Sequence, residues 1–151
     1  MAQGDRGKWA EGRVRGYLVD ISKTVNGAFL RLPDARSGSF QPTTADFLVN
    51  FRGLHTMLEV KEVEHDYRLP GKNFKPDQRA RLTNWRSLGT NTPVVVAHMP
   101  LKEGVPAHKL RQTLMWRCVL SDWFGSADVP SWDLREFPLR TLDQAMEIAL
   151  C

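Results

Sequence analysis

Two short runs of alternating residues, Asp46-Phe47-Leu48-Val49-Asn50-Phe51 and Leu54-His55-Thr56-Met57-Leu58-Glu59-Val60-Lys61, stand on either side of Arg52-Gly53. Period-two patterning interrupted by two residues that end in glycine specifies an antiparallel hairpin. With Arg52 and Gly53 at the turn positions, facing residues have numbers that sum to 105, and a slip of one residue would turn every core side chain outward. The register therefore places Asp46 directly across from Glu59. Lys61, two residues further on, shares the face of Glu59.

Facing Cβ atoms of an antiparallel pair lie about 4.5–5.5 Å apart, within reach of one divalent cation. Two carboxylates so placed repel each other unless a cation or a proton lies between them. Asp46 and Glu59, with backbone carbonyl and water oxygens, suit Mg²⁺ or Mn²⁺, and no His/Cys set competes for zinc. Lys61 would orient or help to deprotonate an attacking water and offset phosphate charge. This is a layout for metal-assisted phosphodiester hydrolysis. The competing reading leaves all three as polar residues on a solvated hairpin face.

The rest of the chain supplies elements around this hairpin. Ala10, Val14, Tyr17, Leu18, Ile21 and Val25 form one helical stripe, which predicts a helix over Asp5–Thr24 ended by Asn26-Gly27. Ala28–Leu32 reads as a short strand, Pro33–Thr43 as a loop and Glu62–Phe74 as a second loop. Pro76-Asp77 opens a second helix, with Gln78, Leu82, Trp85 and Leu88 on one stripe until Gly89. Pro93–His98 is a buried strand, Trp116–Phe124 is either helix or strand, and Thr141–Leu150 begins with a capping signal. The tryptophans Trp116, Trp123 and Trp132 read as core, a dimer interface or a DNA contact, with core the default for a scattered tryptophan. This order indicates an α/β fold with a central mixed β-sheet flanked by helices, as a single domain over 1–151.

Two further side chains stand out. Gln78 occupies an inward stripe where an apolar residue is expected, so it either points to the reacting groups or sits half in solvent at the helix start. Glu11 either adds an acid to the site or bonds Arg15 at i+4. His98 and His108 have no ligand spacing.

Charge narrows the partner. Net charge is only +4 over 151 residues, but Arg68, Lys72, Lys75, Arg79, Arg81 and Arg86 face a single acid, Asp77, within nineteen residues. A polyanion such as nucleic acid fits this block, against the alternative of a solvated face. With two cysteines, Cys118 and Cys151, and no CxxC, a disulfide scaffold is excluded and a reducing cytoplasm is expected, in a bacterial or phage-infected cell. No run is apolar enough to predict a membrane span.

Thr43-Thr44-Ala45-Asp46-Phe47, Arg52-Gly53, Leu58-Glu59-Val60-Lys61-Glu62, Leu69-Pro70-Gly71-Lys72-Asn73-Phe74 and Gln78 together resemble the PD-(D/E)xK nuclease superfamily. The likeness is closer to the RecU-type Holliday-junction resolvases and looser to the archaeal resolvase Hjc. It covers about a third of the chain, Thr43–Val96, and extends to Arg6-Gly7-Lys8 and Glu11 in the first helix. The resemblance implies a restriction-endonuclease-like core, with catalytic positions at Asp46, Glu59 and Lys61 supported by Glu11 and Gln78. It implies Mg²⁺ or Mn²⁺ held at Asp46, Glu59 and Val60, and four-way DNA junctions bound through Lys8, Arg68, Lys72, Lys75 and Arg79. A homodimer follows from a substrate that needs two matched nicks. The expected function is a Mg²⁺-dependent, structure-selective endonuclease of the resolvase type. The alternatives are a related nuclease acting on flaps, single strands or duplex DNA, and a catalytically silent DNA-binding module. RecU-like enzymes carry a long stalk ahead of the catalytic Asp, whereas this chain has only the Pro33–Pro42 loop.

Overall fold

The computed structural model describes residues 3–32, 45–63, 67–74, 78, 94–99, 106–120 and 131–150. Helix α1 spans Gln3–Ser22 and is followed by strand β1, Gly27–Arg31. The hairpin is β2, Phe47–Phe51, and β3, Leu54–Glu62. After them come β4, Arg68–Pro70, a 3-10 turn at Gly71–Asn73, and β5, Val94–His98. The chain continues with β6, Trp116–Leu120, β7, Ser131–Asp133, a 3-10 turn at Leu134–Glu136, and helix α2, Leu142–Ala149.

Five strands form one sheet in the order β1-β2-β3-β5-β6. The β3–β5 pair is parallel and the other pairs are antiparallel, which makes the sheet mixed. All five residues of β5 are buried, as expected of a strand covered on both faces. On one face Leu58, Val94, Val96, Trp116 and Cys118 pack with Ala10, Val14 and Leu18 of α1 and Ala145, Met146 and Ala149 of α2. On the other, Val95, Ala97 and Val119 pack with Leu69, Phe74, Trp132 and Leu134 around the two-stranded β4–β7 ribbon. Trp116 and Trp132 are thus core residues, while Trp123 lies outside the described residues. Arg117 ties the second face together, its guanidinium donating to the carbonyls of Leu134 and Phe137.

The expected hairpin register holds from Phe47↔Leu58 to Phe51↔Leu54. Arg52 has φ 54° and Gly53 φ 80°, the two positive values of a turn that matches strand twist. Helix α1 stops at Ser22, earlier than expected. Gly27 is not its cap: it opens β1, where an added Cβ would lie 2.3 Å from the Asn50 carbonyl oxygen. Trp116–Leu120 is strand, and the Glu62–Phe74 stretch expected as loop contains β4 and a 3-10 turn. Thr141 caps α2 through a reciprocal pair, its hydroxyl accepting from the Gln144 amide at 3.2 Å and its own amide donating to Gln144 Oε1 at 3.0 Å. The expected 33–43 loop and the helix from Pro76 to Gly89 lie outside the described residues, except Gln78.

Candidate active site

The end of β3 is where the sheet changes character. Leu58 and Val60 face the α1 side, and the alternation of the strand turns Glu59 and Lys61 to the other face. Glu59 is buried and pairs with Lys61, Oε1 to Nζ 2.8 Å. The Lys61 ammonium also donates to the Asn73 carbonyl at 2.8 Å and to Gln78 Oε1 at 3.4 Å, and it lies 4.7 Å from the centre of the Phe74 ring. Gln78 is helical and buried, not half in solvent.

Asp46 corrects the simple cross-strand picture. The named ladder begins at Phe47, and the Asp46 amide donates to the Leu58 carbonyl at 3.0 Å, one residue out of register. Two residues of one strand thereby oppose one of its partner, a bulge that redirects the side chain. Asp46 Oδ2 accepts from the Val60 amide at 2.8 Å. Because the Val63 amide bonds the His98 carbonyl at 2.9 Å, the two-residue alternation of a parallel ladder aims the backbone groups of Glu59 and Lys61 at β5 and those of Val60 at the β2 side. The Asp46 side chain has taken the place of a strand partner for Val60. The Val60 carbonyl opens on that same edge.

Burial, then the Glu59 carboxylate, then Glu11 push the Asp46 carboxyl up to about 7, while the Val60 amide and Lys61 pull it back. Glu11 of α1 is therefore part of the same electrostatic unit. Its partner is not Arg15 but Arg31 of β1, Nε to Oε1 2.5 Å. Arg31 was not singled out by sequence, because its closeness to Asp46 depends on the β1–β2 pairing, where it faces Phe47. Asn73 and Phe74 belong to the motif read in the sequence, yet their contact with Lys61 carries no signature in spacing. Among the expected DNA-binding residues, Lys8, Arg68 and Lys72 are exposed, with Arg68 Nη1 on Ser131 Oγ at 3.2 Å. Lys75 and Arg79 lie outside the described residues.

The donor set fits a hard divalent cation: two carboxylates in mutual repulsion and one edge carbonyl, all oxygen. Among the described residues no group of three His, Cys, Asp or Glu side chains is gathered as a metal cage, so waters would complete the shell, as Mg²⁺ favours. His98 is not part of it. It is buried between the rings of Trp9 and Trp116, at 5.0 and 4.8 Å, with Nε2 3.0 Å from Met115 Sδ, and burial lowers its pKa to about 4. His108 is exposed. The cleft between α1 and α2, lined by Trp9, Tyr17, Trp116 and Leu142, does not include the acidic cluster.

No protein-family model matches this chain, and no curated protein matches it. Among solved structures it is similar to Hjc of Archaeoglobus fulgidus, a Holliday junction resolvase from an archaeal hyperthermophile. The TM-score is 0.55 and the identity 18%, over 92% of this chain and 99% of that one. The α/β architecture, a mixed five-stranded sheet flanked by helices, is thus the fold of an Hjc resolvase. Among the described residues no helix is long and apolar enough to cross a membrane.

Proposed function

We propose that this chain is a divalent-metal-dependent, structure-selective DNA endonuclease that resolves four-way junctions by paired nicks, acting as a homodimer with residues 1–151 as one nuclease domain. The observation that carries this reading is the convergence of Glu11, Asp46, Glu59, Lys61 and Gln78, from four separate stretches of chain, at one end of β3. Similarity to a resolvase fold supports it but would not suffice, because one architecture hosts many activities. A RecU-like affinity rests on the Thr43–Gln78 motif alone.

Asp46, Glu59 and the Val60 carbonyl would hold Mg²⁺ or Mn²⁺. Such a cation supplies an acidified water and neutralises charge on the phosphate. In such a hydrolysis a water oxygen would bond to phosphorus as one bridging P–O bond breaks, the water giving up a proton and the departing oxygen taking one up. Lys61 places a positive charge beside the phosphate as charge builds on it, and Gln78 and the Asn73 carbonyl hold that ammonium. Arg31 restrains Glu11. Lys8, Arg68 and Lys72, with Lys75 and Arg79, hold the DNA backbone, which fixes orientation without reading sequence.

A labelled synthetic four-way junction incubated with the protein and Mg²⁺, Mn²⁺ or EDTA tests the reading. Paired, symmetry-related nicks that require the cation are expected. Cleavage confined to flaps, single strands or linear duplex would make it a different nuclease, and binding without cleavage in either metal would make it a silent DNA-binding module.

A further inference from the structure

The Lys61 ammonium has three N–H donors, and three oxygens face it: Glu59 Oε1, the Asn73 carbonyl and Gln78 Oε1. Its remaining side is covered by the Phe74 ring, 4.7 Å from Nζ to the ring centre. These partners differ in how firmly they can hold. Glu59 would be a ligand in the cation site proposed above, and its grip on Lys61 would weaken as it turned to the metal. Gln78 sits at the longer distance. The lysine stem has four rotatable carbons and does not fix its own end.

Phe74 is firmly packed by comparison. It is 5% exposed and packs edge-on against Trp132, 5.7 Å between centroids at 81°. Its amide closes the preceding 3-10 turn on the Gly71 carbonyl at 3.1 Å, and Asn73 Nδ2 ties that turn to the Glu62 carbonyl of β3 at 3.4 Å. One short segment thus presents both a carbonyl and an aromatic face to the same ammonium, and is anchored to the strand that carries it. The Lys61 side chain is only 12% exposed, and a cation over a ring is held more strongly where water is excluded.

We propose that Phe74 is a positioning residue for Lys61: the face of its ring seats the ammonium, which keeps its place when Glu59 is drawn to a cation. The inference rests on the reading of Lys61 as a catalytic group. It assigns the ring a role in the reaction beyond filling the core.

The test is a series of full-length proteins with phenylalanine or its mono-, di- and trifluorinated forms at position 74. Fluorination drains negative charge from the ring face with little change in size. Two further variants are Phe74→Leu, which keeps apolar bulk without a π face, and Phe74→Tyr, which keeps the face. In Mg²⁺-saturated protein without DNA, the state in which Glu59 would turn to the cation, the Lys61 ε-methylene resonances, identified by their loss in Lys61→Ala, are expected to show a ring-current shift. That shift should shrink stepwise along the fluorinated series. Single-turnover nicking of a four-way junction should fall in the same order, by about 2- to 30-fold for a contact of ordinary strength, with junction Kd within about twofold. Phe74→Leu should lose rate, and Phe74→Tyr should keep it. Equal rates and an unchanged resonance along the series, or Leu performing as well as Tyr, would overturn the inference. So would a loss confined to junction affinity. If the wild type nicks no DNA in either metal while the resonance still follows fluorination, the nuclease reading fails and the seating of Lys61 stands. Should Phe74→Leu fail to fold, the near-isosteric fluorinated series decides.

Discussion

Asp46 bears opposing demands. Burial and the neighbouring Glu59 favour its protonated form, and the Val60 amide favours the carboxylate, with the balance at about 7. The unfolded chain ionises the same group near 3.8. The folded protein therefore binds the extra proton between these values, and the stability that this group contributes is present below about 4 and lost as pH rises through about 7. In metal-free protein the contribution of Asp46 to Tm should fall from pH 5 to pH 8. Asp46→Asn, which keeps an oxygen for the Val60 amide, should flatten that fall. Mg²⁺ or Mn²⁺ should raise wild-type Tm more at pH 8 than at pH 5, because a cation binds the ionised pair. Thermal melts at both pH values check this, and an Asn variant with the wild-type slope would show that another group sets it. Catalysis gives the companion prediction. Asp46→Asn and Glu59→Gln should abolish nicking while junction binding persists or strengthens, and Lys61→Ala should lower turnover about 10²–10⁴-fold with little change in affinity. A near-wild-type nicking rate in either carboxamide variant would remove that ligand from the site.

At the scale of elements, the hairpin shows what a sequence can and cannot declare. Its register followed from the period of two and a two-residue turn, both local, and five of its pairs are as expected. The bulge at Asp46 was not legible, because an offset of one residue depends on how the chain enters β2 beside β1. The β4–β7 ribbon was hidden for a related reason: two three-residue strands more than sixty residues apart have no local periodicity to reveal their pairing. Arg31 shows the same limit at the site itself, since its value lies in a cross-strand neighbour. Glu59 and Lys61 were legible because strand alternation puts them on one face with a facing acid, Gln78 because it stands in an inward helical stripe, and Glu11 because it lies at the edge of one. The turn carries a prediction of its own. Arg52 is exposed with φ 54°, a conformation that costs a residue with a Cβ about 1–2 kcal/mol. Its amide bonds the Asn26 carbonyl at 3.0 Å, a bond that any residue except proline keeps. Arg52→Asn should therefore stabilise the protein by about 0.5–1 kcal/mol, read as a Tm rise of roughly 1–4 °C. An unchanged or lowered Tm would mean that the arginine side chain makes a compensating contact.

At the scale of the whole molecule, charge is distributed unevenly, and this bears on how DNA would lie. Lys8 precedes Glu11 by one helical turn, and Lys72 stands in the 3-10 turn whose last carbonyl holds Lys61, so both flank the acidic cluster. Lys23 follows the other end of α1, roughly 18 Å along the axis from Glu11 by helical rise, and pairs with Asp20 at 3.8 Å. That separation exceeds the Debye length at physiological salt, about 8 Å, so Lys23 adds little attraction at the site. Each basic residue that neutralises a phosphate releases condensed counterions, and log affinity for duplex arms falls with log salt by about 0.9 per contact. Replacing Lys8 or Lys72 by alanine should therefore make the slope shallower by about one, and replacing both should lower it by about two. Lys23→Ala should leave it unchanged. Because these contacts meet sugar and phosphate rather than base edges, the losses should be equal for junctions of different sequence. Fluorescence anisotropy of labelled junctions across a salt series measures all of these slopes. Equal effects from Lys8, Lys72 and Lys23 would place the DNA along the whole of α1 instead of across the end of β3, and no effect from any would leave the acidic cluster without the backbone contacts proposed to deliver its substrate.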